Sequence, residues 1–275
     1  SFTSLYKHKN VKALFLAQDM NFFQKIIIKA FKENNKKSFI FLHGLPARYN
    51  NIDDNRTDYL LVWGDKIKEN YINKGVDKNK IFSVGHPLYQ KYERKNLRFS
   101  LDNILVITKS LPGAPISSDE ELLFQDRSRI LLYLYSIQNT LSKFGVNNVR
   151  LRVHPSENIN WYMKYVDKKF YTPDYNNLKE SIEKSTLLIG PMSTLLLESI
   201  YYGVNYLLYE PNYEGYSLLN EKIVEPFDGS DKNIPVAKNE DELYEILKER
   251  VLVNPDCFHD YIKTPFDIKF IKDLI

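Results

Sequence analysis

Short apolar runs alternate with helix-like segments along most of the chain, and this alternation predicts the fold. In the first part of the chain, strand-like runs cover 11–17, 38–42, 59–63 and 80–84. Apolar residues at helical spacing predict helices over 21–31 and 65–73 between them. Strands that alternate with helices are typical of a mainly parallel, doubly wound α/β sheet.

A second series of the same kind predicts a second domain. Residues 88–101 are charged and break the pattern. Beyond them the sequence predicts strands at 103–108, 149–153, 186–189 and 204–209, and helices at 119–143, 176–184, 193–202 and 240–250. The last segment, from residue 258, is expected to be helical and able to fold back over the first domain. We therefore expect two Rossmann-like domains, 1–95 and 96–275, with a cleft between them.

Composition narrows the functional classes. The chain of 275 residues is 43% hydrophobic, enough for one large core or two smaller ones. Its net charge of +3 does not indicate nucleic acid as the main partner. No apolar run approaches the about 18 residues needed to span a bilayer. A P-loop, a dinucleotide-binding fingerprint and a spaced set of metal ligands are all absent from the sequence.

The loop Arg152-Val153-His154-Pro155 is the first candidate for chemistry. Alternate residues of a strand point to the same side, so Arg152 and His154 can face one ligand. A permanent cation beside a histidine donor suits an anionic phosphate. The alternative is that His-Pro only ends the strand. A second His-Pro, at His86, lies at the predicted domain junction, and there we favour the structural interpretation.

The turn from Gly190 to Thr194 is the second candidate, because it joins an apolar strand to a helix. Hydroxyls and backbone N–H groups at a helix start can hold a phosphate. Ser193 and Thr194 could instead cap the helix and do nothing more. Glu198, one turn further on, could accept hydrogen bonds from ribose hydroxyls or could be an ordinary exposed glutamate. In an open α/β sheet, both candidate loops would lie at strand carboxyl ends, where ligands bind.

His43 is the candidate base in the first domain. It follows a predicted strand and precedes Gly44, which permits close approach of a ligand. Imidazole titrates near neutral pH and can take a proton from a hydroxyl group. The alternative is a turn histidine that only ends the strand. The carboxylates that compete for the same role are Asp19, Asp53, Asp54 and Asp58.

At these residues the chain resembles a known family. LRVHPSEN followed by IGPMSTLLLES resembles the His-Pro and Ser-Ser/Thr motifs of bacterial sialyltransferases with the GT-B fold. HGLP, then TDYLLVWGDKIKENYINKGVDKNKIFSVGHPLYQKY, also resembles polysialyltransferases and the CDP-glycerol glycerophosphotransferases. The resemblance covers roughly 38–211. It implies two Rossmann-like doubly wound domains that face each other across a cleft.

The resemblance also implies roles for individual residues. His154 would contact the donor phosphate and assist the departure of CMP, and Ser193 and Thr194 would hold the same phosphate. The sialyltransferases usually carry their base in an acidic-acidic-Gly motif, where this chain has Leu42-His43-Gly44. The glycerophosphotransferases have His-Gly at this place, which matches His43-Gly44. The sequence is thus mixed between two donor classes that share a cytidine nucleotide.

The hypothesis from the sequence is a metal-independent, inverting transferase without a cofactor. It would move sialic acid or a related nonulosonic acid from a CMP-activated donor to an oligosaccharide or polysaccharide acceptor, such as a bacterial surface polysaccharide or lipooligosaccharide. It would work in the cytoplasm, in association with the inner face of the cell membrane. The alternatives are glycerol-phosphate or other sugar transfer of the capsule or teichoic-acid type, and a glycan- or nucleotide-binding module without catalysis.

Specific residues carry this hypothesis. His43 and His154 are the predicted catalytic residues, and Gly44 and Asp19 belong to the acceptor side. The predicted donor-binding residues are Arg152, Pro155, Gly190, Ser193, Thr194, Glu198, Lys109 and Ser110.

Overall fold

The computed structural model describes residues 10–46, 49, 56–110, 127–220 and 222–275. The chain divides into two units, Ser1–Glu93 with Asp256–Ile275, and Arg94–Pro255. The predicted candidates Asp53 and Asp54, and the start of the predicted helix 119–143, lie outside the described residues.

The described elements follow the predicted alternation and add several short ones. The strands are β1 (Ala13–Leu16), β2 (Lys37–Phe41), β3 (Tyr59–Val62), β4 (Ile81–Ser83), β5 (Ile104–Ile107), β6 (Val149–Arg152), β7 (Tyr171–Pro173), β8 (Leu187–Gly190), β9 (Asn205–Tyr209), β10 (Asn212–Tyr213), β11 (Tyr216–Ser217) and β12 (Val236–Ala237). The helices are α1 (Phe22–Glu33), α2 (Asp65–Asn73), α3 (Ser128–Ser142), α4 (Ile159–Tyr162), α5 (Leu178–Glu183), α6 (Leu195–Tyr201), α7 (Glu240–Glu249), α8 (Cys257–Tyr261) and α9 (Ile268–Leu274).

The first unit is built on a parallel sheet in the order β1-β2-β3-β4. The last twenty or so residues belong to this unit, although the predicted bounds assigned them to the second domain. Ile271 of α9 packs into the core of this sheet with Phe39. Phe258 of α8 stacks on Tyr92 with ring centroids 4.0 Å apart. These apolar contacts explain why the final segment folds back onto the first unit, as its sequence suggested.

The second unit carries a parallel sheet in the order β12-β9-β8-β5-β6-β7. The chain moves outward from β5 through β6 and β7 on one side, and then from β8 through β9 to β12 on the other. The order therefore reverses between β5 and β8, which makes this the topological switch point of the sheet. Two units, each with a parallel sheet and helices, confirm the predicted α/β class, and the reversed strand order shows double winding in the second.

Neighbouring strands lie about 4.8 Å apart, so the carboxyl ends of β8, β5 and β6 span about 10 Å. We call these three strand ends and the loops that follow them the switch-point edge. Gly190 ends β8, Lys109 follows β5, and His154 follows β6. The sheet thus gathers the two predicted loops and Lys109 on one edge. Within the described part of the chain, no helix combines the length and the apolar character needed to cross a bilayer.

Candidate functional site

Hydrogen bonds hold His154 at the switch-point edge and determine which ring nitrogen carries the proton. The N–H of His154 donates to Thr108 Oγ1 over 3.2 Å, which ties this loop to the end of β5. The N–H of Ser156 donates to His154 Nδ1 over 3.2 Å, and Ser156 Oγ lies 2.8 Å from the same nitrogen. Because Nδ1 accepts a hydrogen bond, the proton of the neutral ring is on Nε2. Nε2–H is therefore the group that His154 can offer to a ligand.

The surroundings of His154 favour this neutral form. Partial loss of hydration lowers the pKa of His154, the Glu157 carboxylate opposes the shift, and the Lys109 ammonium adds to it. The side chain nevertheless keeps an exposed edge. Near neutral pH the ring is thus an uncharged hydrogen-bond donor that a ligand can reach.

Arg152 is occupied mainly by protein groups. Its Nη1 donates to the Asn176 carbonyl over 2.8 Å and lies 3.3 Å from Ser181 Oγ. Glu198 is close enough for its pKa to respond to Arg152: burial raises that pKa, and the Arg152 charge lowers it. Glu198 is half-buried, so the interpretation as an ordinary exposed glutamate is wrong. Direct contact of Arg152 with a phosphate stays a prediction.

A buried glutamate that the sequence interpretation missed, Glu210, organises the loop after β8. Glu210 follows β9, is 0% exposed, and accepts hydrogen bonds from Met192 N–H and, over 2.8 Å, from Asn220 Nδ2. Lys109 Nζ donates to Asn220 Oδ1. Asn220 therefore connects Lys109 with Glu210. The sequence signal was only a Glu-Pro dipeptide after an apolar strand.

Burial shifts both charged members of this network toward their neutral forms. Burial raises the pKa of Glu210. The hydrogen bonds from Met192 and Asn220 and the charge of Lys109 act in the opposite direction and lower this pKa. Burial lowers the pKa of Lys109, and the Glu210 carboxylate opposes that shift. Each group thus stabilises the charged form of the other. The network places a lysine between the loops that carry His154 and Ser193.

The loop after β8 has structural as well as candidate binding groups. A side chain at Gly190 would collide with Ile107 and the Tyr206 hydroxyl, so packing alone requires glycine there. Ser193 Oγ accepts from the N–H of Leu195, the first residue of α6, over 3.2 Å. Because α6 has only 7 residues, a phosphate site here must depend on loop N–H groups and cationic side chains. Thr194, Pro155 and Ser110 lie on the same three loops, and their binding roles stay predictions.

His43 lies in the first unit, in the loop after β2, and borders a cavity of about 300 Å³. Its exposed ring places Nδ1 3.2 Å from the Ala17 carbonyl oxygen. A carbonyl can only accept, so the neutral ring has its proton on Nδ1 and a lone pair on Nε2. Gly44 also lines this cavity, which we call the His43 cavity. The arrangement is the one a general base needs.

The competing carboxylates that the structure describes have other partners. Asp19 lines the His43 cavity but is 0% exposed and pairs with Arg56 at 2.6 Å. It also accepts from Thr57 N–H over 3.2 Å. Asp58 accepts from the N–H and hydroxyl of Ser38 over 2.8 and 2.7 Å. These bonds occupy oxygens of both carboxylates, which leaves them less available to an acceptor hydroxyl group.

The His-Pro dipeptide at His86 has a packing environment. Its ring lies 4.6 Å from the Trp63 ring and 5.2 Å from the Tyr89 ring, measured between centroids. Burial lowers the pKa of His86. These contacts agree with the structural interpretation of this dipeptide. Among the described residues, no group of three or more His, Cys, Asp or Glu side chains could hold a metal ion.

Comparison with known proteins establishes the fold of the chain. No family model and no curated protein matches the chain. The structure is similar to UDP-GlcNAc 2-epimerase from Methanocaldococcus jannaschii in complex with UDP-GlcNAc and UDP, with a TM-score of 0.60 and 14% identity over 99% of this chain and 78% of that one. It is also similar to S. aureus MnaA bound to UDP, with a TM-score of 0.53 and 12% identity over 100% of this chain and 79% of that one.

A variant of the wall teichoic acid polymerase TagF is a third similar structure. Its TM-score is 0.51 and its identity 14%, over 96% of this chain and 72% of that one. Identities this low establish similarity of fold alone. The chain has a GT-B-like fold, made of two Rossmann-like α/β domains.

Proposed function

We propose that the chain is an inverting transferase that uses a CMP-activated nonulosonic acid, most specifically CMP-sialic acid, and a glycan acceptor. The observation that carries the proposal is the exposed ring of His154, which bears its proton on Nε2 and lies near Lys109 at a topological switch point. In open α/β sheets, ligands bind outside the strand ends at this position. A neutral donor next to a lysine suits a phosphate group that gains negative charge as it leaves.

On the donor side, His154 Nε2–H would donate to the phosphate of CMP. The bond between the anomeric carbon and the phosphate oxygen breaks, and its electron pair stays on that oxygen. Lys109 and the N–H groups of the Ser193 loop would stabilise the added charge, while Glu198 would accept from ribose hydroxyls. Since a phosphate is a good leaving group, hydrogen bonding is sufficient and full protonation by His154 is unnecessary.

On the acceptor side, His43 Nε2 would take the proton of the attacking hydroxyl group. The acceptor oxygen then forms the new bond to the anomeric carbon from the face opposite the phosphate, which inverts the configuration. Ala17 stabilises the resulting imidazolium, because its carbonyl oxygen accepts the Nδ1–H.

Transfer of glycerol phosphate from CDP-glycerol is the second candidate. His43-Gly44 matches the His-Gly that the resemblance associates with that chemistry, and the similarity to TagF agrees with it at the level of fold. In this case the acceptor hydroxyl would attack phosphorus instead of carbon, and CMP would again leave. The same His43 and His154 would act as base and donor.

A nucleotide panel separates these candidates from each other and from a binding module. Thermal shift and calorimetry with CMP, CDP, UDP and GDP should show preference for the cytidine nucleotides. Product formation from CMP-sialic acid would support the first candidate, and product formation from CDP-glycerol would replace it with the second. Preference for UDP would refute both, and tight CMP binding without turnover on either donor would favour the module without catalysis.

A further inference from the structure

The start of α1 exposes an unusual amount of apolar surface. Phe22 and Phe23 are 72% and 76% exposed, and Met20 and Ile26 are about half exposed. Helix α1 already buries another face, on which Ile28 and Phe31 are almost completely covered. The exposed group is therefore a second apolar face. Contiguous apolar surface of this kind marks an interaction site more often than chance exposure does.

Positive charge accompanies this face. Lys25 and Lys29 are exposed and share a surface depression of about 580 Å³ with Phe22 and Ile26. The first turn of α1 contains no acidic residue. The acidic residue of the helix, Glu33, lies at its far end, 3.9 Å from Lys29. The start of α1 thus combines exposed aromatic rings with Lys25, for which the described residues provide no acidic partner in the first turn.

We propose that this face of α1 binds the surface of a membrane that contains anionic lipids. Phe22, Phe23 and Ile26 would enter the boundary between headgroups and acyl chains, and Lys25 and Lys29 would meet the lipid phosphates. Bulky apolar side chains with lysines beside them are what an interfacial helix requires. The charge complementarity selects an anionic lipid surface over a neutral one.

The position of the face gives the binding a consequence for the site. Met20 belongs to the exposed group and also lines the His43 cavity. Strands β1 and β2 are neighbours in the sheet, so the turn before α1 and the loop of His43 lie at the same edge of the first unit. Binding would hold the mouth of the His43 cavity near the lipid. If the proposed function holds, the acceptor is a glycan attached to lipid.

Vesicle sedimentation tests the proposal without any transfer assay. Wild type should sediment with vesicles of phosphatidylcholine mixed with phosphatidylglycerol, more weakly with phosphatidylcholine alone, and less at high salt. Phe22→Ser/Phe23→Ser should lower partitioning at least about tenfold through lost apolar burial. Lys25→Glu/Lys29→Glu should lower it about 25-fold or more, since each lysine contributes about fivefold.

Matched controls separate this face from general stickiness. Leu88→Ser/Tyr175→Ser removes two side chains of similar exposure, 72% and 73%, and should leave partitioning unchanged. Lys74→Glu/Lys78→Glu changes the net charge by the same amount, at exposed sites elsewhere in the first unit. It should lower vesicle partitioning much less. Wild type that binds neither kind of vesicle would overturn the proposal. So would a dimer in light scattering that Phe22→Ser/Phe23→Ser dissociates, because the face would then bind a second copy.

Discussion

His43 and His154 each follow a buried parallel strand, in different units, yet the protein holds their rings in opposite ways. His43 Nδ1 faces the Ala17 carbonyl, which can only accept. His154 Nδ1 faces the Ser156 N–H, which can only donate. In the neutral rings, Nε2 is therefore an acceptor in His43 and a donor in His154. In each histidine, one neighbouring residue therefore determines whether Nε2 accepts or donates a proton.

The comparison teaches that the partner of Nδ1 decides what a histidine can do. A base needs a free lone pair and a fixed orientation, and a group that stabilises a leaving phosphate needs an outward N–H. The ring of His43 meets the first requirement and the ring of His154 meets the second. If the assignment is right, substitutions in the two loops should have different kinetic signatures.

The largest effect is expected for His43→Ala. Loss of a general base should lower kcat by about 10²–10⁴ and leave CMP affinity nearly unchanged. Transfer assays and calorimetry measure the two quantities. His259→Ala, an exposed histidine of the same unit, is the matched control and should transfer normally. Near-normal transfer by His43→Ala, with loss in an Asp53 or Asp54 variant, would assign the base to a carboxylate.

His154→Ala should have the next largest effect and a different pattern. Removal of one hydrogen bond to the leaving phosphate should cost about 10²–10³ in kcat, or about 2.7–4 kcal/mol. CMP affinity should also fall, in contrast to His43→Ala. Circular dichroism and thermal midpoint check that the fold is kept. Unchanged kinetics would reduce His154 to a residue that ends β6.

Glu210→Ala tests how far the donor side depends on a buried network. The substitution leaves the Met192 N–H and the Asn220 amide without an acceptor, so unfolding should become easier by about 1–3 kcal/mol. CMP affinity should decrease because the loop after β8 loosens. Glu245→Ala breaks only an exposed pair with Lys248 and should change stability by less than about 1 kcal/mol. Equal effects from the two variants would contradict a positioning role for Glu210.

The smallest effect concerns the pH dependence of stability. The lowered pKa of His154 means that the folded protein binds fewer protons than the unfolded chain below about pH 6.5. The stability that this difference contributes is fully present above about pH 6.5 and is lost as the pH falls through the pKa of His154 in the folded protein. Thermal midpoints should therefore decrease less in His154→Gln than in wild type on acidification. NMR titration should place the wild-type midpoint below the ordinary histidine value; a midpoint above it would contradict the description.

The fold could be predicted from the sequence because apolar strands and helices alternate with clear periodicity. The elements missed are short, such as α4 and β7, and lack enough residues to show a period. The Ser193 loop was found because it follows a strand that is apolar throughout, and the His154 loop because it follows a strand in which apolar residues alternate with arginines. Their placement on one edge follows from the strand order, which a single sequence suggests but does not determine.

The partners of individual side chains were beyond prediction. The sequence makes Asp19 a competitor of His43 for the role of base. In the structure, Arg56, which is far away in sequence, occupies the Asp19 carboxylate. Glu210 acts through Met192 and Asn220, and neither lies within one helical turn of it. Contacts between residues distant in the chain arise only when the sheet assembles. The composition of the chain and the spacing of its residues therefore do not predict these contacts.

The return of α8 and α9 to the first unit has a consequence for biosynthesis. The second unit, Arg94–Pro255, is one continuous stretch between the two parts of the first. On the ribosome it is therefore fully synthesised before Ile271 exists to complete the core of the first unit. Domains generally fold in the order of their synthesis. Here the unit whose synthesis begins later can finish folding earlier, and the core of the unit with His43 is complete only after α9 has been synthesised.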